Sequence, residues 1–149
     1  MIHIFIFYGA LLPSSIFAVW RGGTPEKIIG AILMCAAAST SMIPFTDGVT
    51  FTYVNWPALY IDLALLLVLT AVAARADRYW PGWLAGLQLL TIGVHAVRAY
   101  DPHIVPIAYA RIAGEISYPM LVILIIGTFR HHRRTLVTGP EAAWSRFHW

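Results

Sequence analysis

Three stretches of this chain set ionisable side chains inside long apolar runs. Gln88, Thr91, His95 and Arg98 follow one another at intervals of 3, 4 and 3. At about 100° per residue a helix keeps all four within an arc of about 80°, a polar stripe that must face protein or water. Arg111, Glu115 and Tyr118 recur at 4 and 3, again on one helical face, and Arg111 with Glu115 forms an i,i+4 couple. Asp62 stands alone among Leu and Ala.

A charge in the middle of a lipid-crossing helix costs about 2.5–3.5 kcal/mol on insertion scales, so it needs a partner or a task. Arg98 and Arg111 are expected to balance Asp62 and Glu115, leaving His95 neutral or able to take a proton. Two readings follow. One is a salt-bridge and hydrogen-bond network that only fixes helix packing. The other is a ligand, ion or proton site built from Asp62, Gln88, His95, Arg98, Arg111, Glu115 and Tyr118. Pro119 has no N–H for the Glu115 carbonyl, which adds an acceptor beside that side chain, and Pro13 frees the Gly9 carbonyl next to Ser14 and Ser15 in the same way.

No catalytic residue stands out. The chain has no phosphate-cradling glycine loop, no Ser or Cys nucleophile beside a base, and no HExxH. Cys35, the single cysteine, excludes an intrachain disulfide and a cysteine-based zinc site. His95 reads as a structural histidine before a metal or haem ligand, no metal site is expected, and no cofactor is specified. His131-His132-Arg133-Arg134 reads as a basic stop attracted to anionic lipid rather than a metal-binding tract, and His103 as a loop residue.

The elements that must hold these groups are long and apolar. The 149 residues are 59% hydrophobic and 11% charged, with a mean hydropathy of +0.70. That is more apolar surface than a water-soluble domain of this size can bury. The pattern predicts an all-α integral membrane protein, with spans at about 2–20, 28–45, 56–74, 82–99 and 104–129. Each is near the length needed to cross about 30 Å of hydrocarbon at about 1.5 Å per residue. Residues 1–134 form one five-helix bundle, and 135–149 a short amphipathic tail lying on the cytoplasmic surface. Thr24 and Pro25 are the expected cap and first residue of the second helix. Segments 44–57, 75–81 and 101–106 supply the other breaks.

Charge gives the orientation. Arg21, Lys27, Arg75, Arg78, Arg130, Arg133, Arg134 and Arg146 fall on one side of a five-span layout, which puts the C-terminus in the cytoplasm and the N-terminus outside. Trp20, Tyr79, Trp80 and Trp83 make an inner aromatic belt; Tyr53, Trp56, Tyr60, Tyr100 and Tyr109 make an outer one. Nearly every buried charge then belongs to the outer half, and the cytoplasmic half is apolar helix with basic ends. Gly82, Gly86 and Gly93 offer a smooth helix-packing face, as do Ala31, Cys35 and the alanines after it.

Five spans and six tryptophans in a chain this short resemble the tryptophan-rich sensory protein (translocator protein) family in size and helix count alone. The aromatic, proline-rich first loop of that family has no match in Arg21 to Lys27, and no family is assigned. Small size, short loops and the missing catalytic set lead to an accessory or structural subunit of a larger membrane assembly. It would sit in a bacterial cytoplasmic membrane, with the lipid bilayer and a protein partner or second copy as its contacts and no nucleic acid. The alternative is a protein that binds or transports an ion, a proton or a small molecule through the outer polar cluster. A haem or metal membrane enzyme comes third.

Overall fold

The computed structural model describes residues 2–43, 55–100 and 106–139. Among these the chain is all-helical, with α1 Ile2–Arg21, α2 Thr24–Ser41, α3 Trp56–Arg75, α4 Trp80–Tyr100, α5 Pro106–Glu115 and α6 Ser117–Thr138. The second connector with Tyr53, the loop with His103, and the end of the tail lie outside the described residues.

The ends follow local chemistry. Gly23, extended at φ −78° and ψ −172°, precedes α2, and Pro25 occupies its first turn, so Thr24 is helical rather than the cap. Asn55 caps α3, its side chain accepting from the Ala58 N–H at 3.1 Å. α6 ends at Gly139, whose φ of +83° suits only a residue without Cβ strain. Its last nine residues, 130–138, carry the His-His-Arg-Arg tract onto the helix rather than into a tail. The break between α5 and α6 falls at Ile116, three residues before Pro119. The proline ring there crowds the Glu115 carbonyl and offers it no N–H. At Pro13 the adjustment differs from expectation: Ser14 Oγ donates to the carbonyls of Ala10 at 2.7 Å and Leu11 at 3.0 Å.

Counting α5 and α6 as one bent rod, five antiparallel rods close a ring. α1 packs on α2, α2 on α3, α3 on α4, α4 on α6 and α6 on α1, with α2 also reaching α6 across the middle. The tightest pair is α3 with α4, and its pattern is a heptad. On α3 Asp62, Leu65, Leu69 and Val72 step by 3 and 4, with buried Ala76 just past its end, and on α4 the buried residues Pro81, Leu84, Gln88, Thr91, His95 and Arg98 do the same. That spacing keeps a narrow seam facing a neighbouring helix. Leu11, Ile29, Leu69, Leu84 and Leu124 fill the centre.

Close approach uses glycines other than those singled out from sequence. A Cβ on Gly127 would lie 2.8 Å from the Trp80 ring, and one on Gly30 would lie 3.1 Å from Ala18 Cβ. Trp80 is therefore folded inward and leaves the aromatic belt. Gly82, Gly86 and Gly93 have nothing among the described residues within 4 Å and face outward, so no described helix packs on them. The seam already occupies the opposite side of α4.

Among the described residues, two helices are long and apolar enough to cross a membrane. These are α3 and the stretch 111–137 spanning the α5–α6 junction; Phe5–Arg21 is apolar but shorter. The polar seam of α4, and Glu26 and Lys27 in α2, dilute the other two.

Candidate functional site

The seven residues expected to form one outer cluster divide into two groups. Asp62, Gln88 and His95 come together. Asp62, on the first turns of α3, faces the upper half of the α4 seam, where positions 88 and 95 lie two turns apart on one side of the helix. Gln88 Nε2 donates to the Asp62 carboxylate at 3.0 Å and to its backbone carbonyl at 3.2 Å, and His95 Nε2 donates to the other carboxylate oxygen at 3.0 Å. Both carboxylate oxygens thus have a donor. The imidazole is buried, at 4% exposure, whereas the Asp62 side chain keeps 23%. Thr91, between them on the seam, donates to the Leu87 carbonyl at 3.4 Å, and Arg98 is buried one turn beyond His95.

Arg111 and Glu115 do not join this group. They face outward as an i,i+4 pair at 3.6 Å, each side chain 66% exposed. The reason is the packing of α5, which among the described residues touches only α4 and its own continuation α6 and leaves Arg111 and Glu115 uncovered. Asp62 is hydrogen-bonded by imidazole and amide, and Arg111 pairs with Glu115 instead. Tyr118, beyond the break, is half-buried with its ring edge-on to Phe7 at 6.0 Å.

A second polar group lies at the opposite end of the bundle, where charge patterning leads one to expect apolar helix. Glu26 is fully buried in the first turn of α2 and forms an ion pair with Arg78 from the α3–α4 turn. Arg78 Nη2 also donates to His131 Nδ1 of α6 at 2.8 Å. A guanidinium has no acceptor, so Nδ1 must hold a lone pair and the neutral ring carries its proton on Nε2. Glu26 Oε2 is buried with no hydrogen-bond partner among the described residues. A Cβ on Gly23 would stand 3.1 Å from that oxygen and 3.1 Å from His131 Nε2, close enough that one of the two side chains would have to give by a few tenths of an ångström.

Reading Arg78 as a topology signal and His131 as part of a basic stop therefore omits their partner. Glu26 adjoins Lys27 at a breaker-rich connector and looks like a solvated loop residue. The available signal was a carboxylate in the first turn of a helix opening with Thr-Pro, a position that favours negative charge. Among the described residues no group of three His, Cys, Asp or Glu could hold a metal ion.

What the two groups can do differs. Asp62 with His95 is a partly accessible carboxylate bonded to a buried imidazole. Glu26–Arg78–His131 is a tie among α2, the α3–α4 turn and α6. No protein-family model, curated protein or solved structure matches this chain.

Proposed function

We propose that this chain is a multi-pass membrane protein of five spans, N-terminus outside and C-terminus cytoplasmic as in a bacterial inner membrane, serving as an accessory or structural subunit of a larger membrane assembly. The membrane part rests on where the apolar surface lies. Leu67, Leu89, Leu90, Val122, Ile126 and Phe129 are each more than half exposed along the middles of α3, α4 and α6. Only 17% of the most apolar stretch of α3 is buried, whereas a soluble core helix of that composition would be covered.

The observation carrying the subunit role is the open face of Gly82, Gly86 and Gly93. These residues let a helix backbone approach closely, and none of the described helices does so. Purification in mild detergent with mass spectrometry tests it. A stoichiometric partner, or a second copy, that is lost on Gly86→Leu while the monomer stays folded is the expected result. A wild-type chain that is always solitary overturns it.

One observation favours a second reading, proton or ion handling: Asp62 keeps part of its carboxylate accessible while hydrogen-bonded to buried His95. Asp62→Asn should then abolish any proton-coupled uptake in proteoliposomes without loss of folded protein. Uptake that survives Asp62→Asn removes this reading.

A further inference from the structure

We infer that the groove between α1 and α2 binds one anionic phospholipid, its acyl chain along the groove and its phosphate at Lys27; this rests on the membrane reading above. The groove has a volume of about 300 Å³, at the lower end of small-molecule sites, and an almost wholly apolar wall of Ile16, Val19 and Trp20 on α1 and Gly30, Ala31 and Met34 on α2. It exists because Gly30 and Ala18 bring the two backbones together at this level, which leaves the small Ala31 facing outward beside larger neighbours.

Three features decide the occupant. Lys27 lies one turn before Ala31 and two before Met34 on the same face of α2, exposed on the turn next to the end of the groove. Arg21 follows Trp20 on the other side of the mouth, and both cations are exposed. The carboxylate nearest in sequence, Glu26, is turned inward onto Arg78, so the mouth is cationic without compensation from it. Trp20, 80% exposed, is at the depth where indoles sit among headgroups. The floor holds the third feature. Ser15 is 3% exposed and its hydroxyl has no acceptor among the described residues. It lies five residues below Trp20, about 7.5 Å along the helix axis, where a diacyl lipid carries its ester carbonyls below the phosphate. The oxygen is closed off where it stands, and rotation of the Ser15 side chain toward the groove would give its hydroxyl that carbonyl as an acceptor.

The full chain, purified in detergent and stripped of lipid, is titrated with phosphatidylglycerol and separately with phosphatidylcholine of the same acyl chains, and occupancy is read by native mass spectrometry. One phosphatidylglycerol should bind in preference to phosphatidylcholine. Lys27→Gln should weaken phosphatidylglycerol about fivefold, the effect of one cation near a charged lipid, and leave phosphatidylcholine unchanged. Ala31→Phe, which fills the groove from its exposed side, should weaken both. Equal binding of the two lipids by the wild type, or occupancy unaffected by Ala31→Phe, overturns the inference. So does a second copy of the chain, in place of lipid, released by Ala31→Phe. Failure of the membrane reading shows differently, as wild-type protein released from cell membranes by alkaline carbonate.

Discussion

At the scale of single residues, two ion pairs with similar names should behave very differently. Glu26 and Arg78 are buried at 0% and 8% side-chain exposure, so removing either leaves a charge in a poorly solvated place. Glu26→Ala or Arg78→Ala is expected to cost about 3–5 kcal/mol, and the double variant clearly less than the sum, in unfolding measured in mixed micelles. Arg111 and Glu115 are mostly exposed and 3.6 Å apart, and if that face meets water rather than lipid, Arg111→Ala should shift the same measurement by less than about 1 kcal/mol. The Arg78 contact also fixes the His131 tautomer. Nitrogen-15 spectra of histidine-labelled protein should place the proton on Nε2 at neutral pH, and Arg78→Ala should release the ring into tautomer exchange. A ring protonated on Nδ1 in the wild type would contradict the Arg78 bond.

Sequence spacing revealed the Gln88 to Arg98 stripe because a helix turns four residues at intervals of 3, 4 and 3 onto one side whatever lies beside it. It did not reveal which acid the stripe meets. Distance from a helix end sets the height of Asp62 and Arg111 in the bundle, but which way each points depends on the neighbours of its helix. α3 is pressed on α4, and α5 is covered on one side only.

At the scale of elements, α3 and α4 are the most extensively packed pair, joined by a heptad seam that is apolar at one end and polar at the other. Leu84, fully buried at the apolar end, faces α3, and Leu84→Ala should destabilise by about 2–5 kcal/mol, more than truncation of exposed Leu89 or Leu90. Gly127 carries the opposite test. Gly127→Leu drives a side chain into the Trp80 ring, already within 2.8 Å of a Cβ position, and overpacking of this kind costs about 1–3 kcal/mol. A fluorescence change at Trp80 should accompany it. The helices themselves were legible, since long apolar runs between Gly and Pro leave few alternatives. The partner of each small residue was not, because a glycine marks where a close approach is allowed and says nothing of which surface arrives. Gly127 sits amid Ile and Thr with no repeat to mark it, while Gly82 and Gly86 make a familiar spacing and face outward.

At the scale of the whole molecule, alternation of five rods puts the α1–α2 and α3–α4 turns and the end of α6 together, which the Arg78 contacts to Glu26 and His131 require. The same alternation puts the start of α1 and the end of α6 at opposite ends of the bundle. Reporters fused to the two ends should therefore report opposite sides of the membrane, the C-terminal one cytoplasmic; two ends on one side would remove the five-span arrangement.

The buried acid has a consequence in time. Glu26 is made 52 residues before Arg78, the cation that neutralises it. At roughly 5–20 residues per second, a ribosome leaves that carboxylate unmatched for about 3–10 s. Nascent chains stalled before residue 78 should be held by insertion factors or cleared by membrane proteases, and chains stalled after it released. His131, near the end of translation, then registers that the last helix has arrived.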